Sequence, residues 1–201
     1  MENPEVDKGR RRFLIAATSV VGAVGAGAAA TPYLISWNPS ARAKAAGAPV
    51  EVNLSKLDEG QMATIIWRKK PVWIVNRSQK MLDDLASNDN LLRDPKSVEE
   101  QQPVYAQNAA RTREGKEKYI VLIAICTHLG CSPTFRPELA PADLGANWKG
   151  GWYCPCHGSR FDLAGRVFQN VPAPTNLVVP VHSYKDDMTI VIGVDENGEA
   201  A

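Results

Sequence analysis

The chain has 201 residues, 44% of them hydrophobic and 22% charged, which is the make-up of one folded domain with some extra length and excludes a large multi-domain enzyme or a disordered chain. The formal charge is +1, distributed as +3 on residues 1–49 and −2 on residues 50–201. The larger part therefore lacks the cationic surplus needed to neutralise phosphates, which argues against a nucleic-acid partner. All four cysteines fall between Cys126 and Cys156. They are too few for a disulfide scaffold, and their clustering marks a site.

The chain opens on a basic leader, residues 1–12, ending in Arg10-Arg11-Arg12-Phe13-Leu14. This cluster resembles the twin-arginine export signal of bacterial proteins that cross the inner membrane already folded. It also serves as a positive flank, and either way the N-terminus stays in the cytoplasm and the remainder lies outside. Residues 13–37 follow as an anchor. Phe13 to Ser36 carries no charged side chain, and a helix of that length reaches roughly 36 Å, enough to cross a bilayer core of about 30 Å. Gly22, Gly25 and Gly27 would admit a neighbouring helix at close range. A cleaved signal ending near Ala28-Ala29-Ala30 is the alternative, although the apolar run exceeds the roughly 7 to 15 residues usual for such signals.

Residues 38–49 have no large apolar side chain and read as a flexible neck, with alanines that could coil part of it into helix. From residue 50 the pattern becomes short strands: Val50 to Leu54, Met62 to Trp67, Val72 to Asn76, Tyr119 to Ile125, Ser159 to Leu163 and Thr189 to Val194. The fold class is mostly β. Lys69-Lys70-Pro71 is read as a hairpin turn and Ala164-Gly165-Arg166 as another. Residues 78–118 are expected to form a polar surface insertion with one or two short helices, His182 to lie at the surface, and the tryptophans, Trp67, Trp73 and Trp148 among them, to fill core or rim positions.

The chemistry sits in two strings, Cys126-Thr127-His128-Leu129-Gly130-Cys131 and Cys154-Pro155-Cys156-His157-Gly158-Ser159. Cys126-x-His128 and Cys154-x-x-His157 can hold one metal centre between two loops, and thiolates with imidazoles suit iron or zinc. A zinc site of two Cys and two His leaves two cysteines spare. A pair of disulfides leaves the histidines unexplained, whereas a Rieske 2Fe-2S centre with one disulfide uses all six residues.

The strings resemble the C-T-H-L-G-C and C-P-C-H-G-S boxes of the Rieske iron-sulfur subunits of quinol:cytochrome c oxidoreductases, the cytochrome bc complexes. The likeness extends to the leader, single anchor, Ala-rich neck, β-rich head and a third loop at Val171-Pro172-Ala173-Pro174. It implies a Rieske-type antiparallel β-sandwich head over residues 50–201, with a cluster-binding subdomain over about 126–175, behind one N-terminal transmembrane helix. It also implies one 2Fe-2S cluster held by Cys126 and Cys154 on the inner iron and by His128 and His157 on the outer, with Cys131 disulfide-bonded to Cys156. In this family the histidines face quinol and take its proton, and Ser159 donates to a bridging sulfide. Leu129, Pro172 and Pro174 correspond to residues that cover the cluster. The tyrosine of high-potential members is here Phe161, which implies a lowered midpoint.

The implied activity is electron transfer from quinol, at a cytochrome b subunit, to cytochrome c1. The subunit would work within a dimeric complex in the lipid bilayer of a bacterial inner membrane, its head periplasmic and its neck allowing the head to swing. A Rieske subunit of another exported enzyme, of arsenite oxidase type, and a non-redox zinc-binding module are the alternatives.

Overall fold

The computed structural model describes residues 7–198, so residues 1–6 of the leader lie outside it. The chain divides into two compact units at Ala45/Ala46. The first is dominated by α1 (Lys8–Ser36), the one helix among the described residues long and apolar enough to cross a membrane. Asp7 caps it, its carboxylate accepting from the backbone N–H groups of Gly9 and Arg10 at 2.9 and 3.1 Å. An acidic cap favours the positive end of the helix dipole. The cap sets the start at Lys8, so the described part of the leader is the first turn and a half of the helix itself. Phe13, Val20, Val24 and Leu34 all stand exposed along it. Past Pro39 the alanines form α2 (Ala41–Ala46) within the predicted neck, as their helix propensity favours.

The second unit is built from three antiparallel three-stranded sheets. The strands are β1 (Val50–Asn53), β2 (Met62–Trp67), β3 (Lys70–Asn76), β4 (Tyr119–Ile123), β5 (Thr134–Arg136), β6 (Gly151–Tyr153), β7 (Arg160–Asp162), β8 (His182–Asp186) and β9 (Thr189–Ile192). The sheet orders are β1-β9-β8, β2-β3-β4 and β5-β6-β7. The middle sheet is apolar on both faces because β3 and β4 lack the usual polar alternation. Val72, Ile74, Tyr119 and Val121 pack with Ile190 and Ile192 of the first sheet. Trp73, Val75, Ile120 and Leu122 point the other way and pack with Trp152 and Phe161 of the third. Trp73 and Trp152 stack with ring centroids 5.6 Å apart. Successive strand residues face opposite sides, so one run of apolar residues builds both cores.

The β2–β3 turn lies one step earlier than its sequence signal. Trp67 pairs with Lys70 and Pro71 with Ile66, leaving Arg68 and Lys69 as the two turn residues with φ of 49° and 61°, the positive values a tight hairpin needs.

Residues 78–118 are more than a solvated surface. They contain a short helix, α3 (Gln79–Asp83), capped by Ser78, and two 3-10 turns, Ala86–Leu91 and Val104–Ala106. Leu85, Leu92, Ala106, Asn88, Ser97, Arg111 and Thr112 are all buried. Hydropathy missed this because much of what is buried is polar and satisfied by hydrogen bonds.

His182 is likewise inside rather than at the surface, at 0% exposure. It begins β8 and is covered by Tyr105, whose hydroxyl accepts from the His182 backbone N–H at 2.9 Å.

A candidate metal centre between two matching loops

β4 runs into the loop of Cys126 to Cys131, and β6 and β7 are joined by the loop of Cys154 to Ser159. The two loops close in the same way. The N–H of Cys126 donates to Cys131 O and that of Cys154 to Ser159 O, each at 2.7 Å. Inside each ring, Gly130 donates back to Cys126 O and Gly158 to Cys154 O, at 3.1 and 2.9 Å. Both glycines have positive φ, 83° and 77°, the conformation that side-chain-bearing residues disfavour. Cys126 and Cys154 thus occupy equivalent positions in two copies of one turn, while the histidines come two residues after one and three after the other.

Cys131 and Cys156 are joined by a disulfide that staples the loops across 25 residues. Cys126 and Cys154 remain free and buried, at 2% and 1% exposure. The sulfurs of Cys131, Cys154 and Cys156 lie within 4.8 Å of one another, yet two of them are committed to the disulfide, so thiolates are offered by Cys126 and Cys154. The His128 and His157 rings lie 4.7 Å apart, nearly perpendicular. His157 is exposed and His128 half-buried. Sulfur therefore sits inside and nitrogen outside.

A third segment braces both loops. Thr127 Oγ1 donates to Thr175 O at 2.7 Å, and the Ala173 N–H donates to Ser159 Oγ at 3.0 Å. Arg93 Nη1 donates to Pro174 O at 3.0 Å. Ala173 is buried, while Pro172 and Pro174 are exposed on either side of it. Leu129 stands 72% exposed beside His128. Phe161 is completely buried opposite Trp152. Thr127 escaped the sequence reading, since a threonine between two candidate ligands shows nothing of its link to a segment 48 residues away.

The donor set fits a cluster on three counts. His128 Nδ1 is buried without a hydrogen-bond partner among the described residues, an arrangement that costs free energy unless something binds there. Burial pushes the Cys126 thiol up, and the neighbouring Cys154 adds to this, against hydrogen bonds from the His128 backbone and Ser159. Two adjacent buried thiols ionise together when a cation compensates them. Two sulfurs inside and two imidazoles outside are also the donors of a 2Fe-2S centre with unlike irons.

Fold and site together define a protein of Rieske type. A family model described as the Rieske [2Fe-2S] domain matches residues 49–185, and one described as the ubiquinol-cytochrome c reductase Fe-S subunit TAT signal matches residues 1–40. The ubiquinol-cytochrome c reductase iron-sulfur subunit of Allochromatium vinosum is 64% identical over 190 residues, covering 94% of this chain and 91% of that one. The subunit of the same name from Blastochloris viridis is 42% identical over 185 residues, covering 92% of each. A solved structure titled as a hyperthermophilic respiratory Complex III aligns with a TM-score of 0.48 at 22% identity, over 90% of this chain and 98% of that one. The chain belongs to the family of Rieske iron-sulfur subunits of ubiquinol-cytochrome c reductase, whose cofactor is a 2Fe-2S cluster.

Proposed function

We propose that Cys126 and Cys154 hold the inner iron and His128 and His157 the outer, and that the chain withdraws one electron from a quinol at cytochrome b and delivers it to cytochrome c1. The observation that supports this most is the exposed His157 ring standing against the half-buried His128, above two buried thiols.

When bound, the cluster supplies one-electron redox chemistry, at a potential raised because neutral imidazoles replace two anionic thiolates. The protein's part is to place and protect. The disulfide holds the loops together, and the Thr127 and Ser159 hydrogen bonds fix them to residues 173–175. His157, being exposed, can meet a quinol hydroxyl; with one nitrogen on metal, the other is free to accept a hydrogen bond and then the proton. Exposed Leu129 and the two prolines would meet the partner surface and exclude water at the contact.

The basic turn of α1 stays on the cytoplasmic side, the helix crosses the bilayer once, and the head lies in the periplasm, where a disulfide persists. The neck lets the head move between donor and acceptor in a dimeric complex.

Replacing the subunit by its His157→Ala variant in the purified complex should abolish quinol-dependent cytochrome c reduction with haem content unchanged; full turnover would refute the assignment.

A further inference from the structure

Residues 167–170 lead from the turn after β7 into the proline segment, and an arginine flanks them on each side. The backbone N–H of Arg93 donates to Val167 O and that of Phe168 to Arg160 O, each at 3.0 Å, while Leu92 bridges to Phe168. Arg93 is exposed, and its Nη1 donates to Pro174 O at 3.0 Å. Its guanidinium is thereby fastened to the segment that braces both loops. Arg160 is the first residue after the loop of Cys154 to Ser159; it is half-buried, its guanidinium 5.7 Å from the centre of the Phe168 ring.

Arg160 lines a cleft of about 220 Å³ together with the amides of Asn147, Gln169 and Asn170. Trp148 and Phe168, stacked with ring centroids 5.9 Å apart, also line it. Neither arginine has a carboxylate partner among the described residues. The acids of the surrounding segments are engaged elsewhere: Asp89 by Arg166 at 2.9 Å, and Glu138 and Asp143 by Arg136 at 3.2 and 2.8 Å. Asp94, beside Arg93 in the chain, accepts instead from the backbone N–H groups of Val98 and Glu99 at 2.9 and 3.1 Å. A guanidinium with spare donors, next to side-chain amides, is a donor set that suits a carboxylate.

The place of the two arginines narrows the choice of partner. One is bonded to the proline segment and the other follows the loop of His157, so a surface that meets those loops also meets them. Quinol is an uncharged molecule drawn from the bilayer, and exposed Leu129, Pro172 and Pro174 suit that apolar contact. The acceptor is met on the aqueous side, where charged side chains are readily solvated and complementary charge speeds and orients docking.

We propose that Arg93 and Arg160 recognise an acidic side chain on the surface of the electron acceptor, cytochrome c1, when the head docks to deliver its electron. This deepens the function proposed above and rests on it. The two arginines hold no metal and meet no quinol; they fix the orientation in which the electron leaves.

The test is a flash experiment on the purified complex carrying the full-length chain: with the centre reduced beforehand, cytochrome c1 is photo-oxidised and its rereduction is timed over a range of ionic strength. Arg93→Gln combined with Arg160→Gln should slow this step by about tenfold and flatten its salt dependence. Arg93→Lys, which keeps the charge, should keep the salt dependence. The midpoint and the electron paramagnetic resonance signal should stay at wild type in every variant, as a disturbed fold would not allow. Wild-type rates in the double variant would overturn the proposal, and so would a shifted midpoint accompanying the loss. A slowing confined to quinol-driven reduction of cytochrome b would place the contact on the donor and overturn it too. Should the double variant not assemble, Arg93→Gln decides alone, since that side chain is exposed. A wild-type chain without a mixed-ligand signal removes the ligand assignment and this inference together; a normal signal with unchanged transfer removes the inference alone.

Discussion

Ser159 Oγ accepts the backbone N–H of Ala173 at 3.0 Å, which leaves its own proton free to donate elsewhere. One hydroxyl thus fastens the proline segment to the second loop and keeps a donor that, on the proposed assignment, serves a bridging sulfide. Such a donor stabilises the more negative, reduced state.

Ser159→Ala should therefore lower the midpoint. A hydrogen bond to a charged partner is worth about 1.5–3 kcal/mol. If about 1.4 kcal/mol of that distinguishes the two oxidation states, the fall is about 59 mV for one electron. Voltammetry checks this, and a midpoint at or above wild type would contradict the donor role.

Phe161→Tyr should act in the opposite sense. The ring is fully buried on β7, two residues beyond Ser159, so an added hydroxyl must find a partner inside the core. Donation to a cysteine ligand raises the midpoint by an amount on the order of 50 mV. An unchanged or lower value would mean that the ring only fills space.

Arg166 should matter for stability. It joins Asp162 to Asp89, Pro95 O and Leu85 O, tying residues 78–118 to the strand that leaves the second loop. Arg166→Met leaves Asp162 buried without its cation, a loss of about 3–5 kcal/mol. Thermal or denaturant unfolding of the variant measures it, and a fall under about 1 kcal/mol would show the pair to be dispensable.

His182 predicts a pH dependence of stability. Burial holds its imidazole down to about 4, with the nearby Arg113 acting in the same direction. The folded state therefore binds the proton less readily than the unfolded chain, whose histidine titrates near 6.5. Stability present above pH 6.5 is lost as pH falls towards 4, by roughly 3 kcal/mol in total. His182→Gln should flatten this part of the profile, and an equally steep profile in the variant would assign the acid loss elsewhere.

Much of the architecture was legible where hydrophobic runs are long. β2 was placed at its observed bounds, and β1, β3, β4 and β9 within two residues, because β-branched and aromatic residues gather there between turn signals. β5 and β6 were missed, being three residues long, too short for any periodicity to register. β8 was missed because His182-Ser183-Tyr184-Lys185-Asp186 reads as polar, although its first residues are buried. The same blindness hid the interior role of residues 78–118, whose buried asparagine, serine and arginine are held by carbonyls far away in sequence. The two boxes stood out because cysteine and histidine concentrate there and nowhere else. Thr127 and Arg166 did not, since their importance comes from contacts made across the fold.

Metal analysis of the purified full-length protein, together with pulsed electron paramagnetic resonance of its reduced form, bears most directly on the mixed-ligand centre. About two irons per chain and nitrogen couplings from two imidazoles are expected, with the signal lost in His128→Ala and in His157→Ala. Zinc in place of iron, or a signal that survives removal of either histidine, would contradict it.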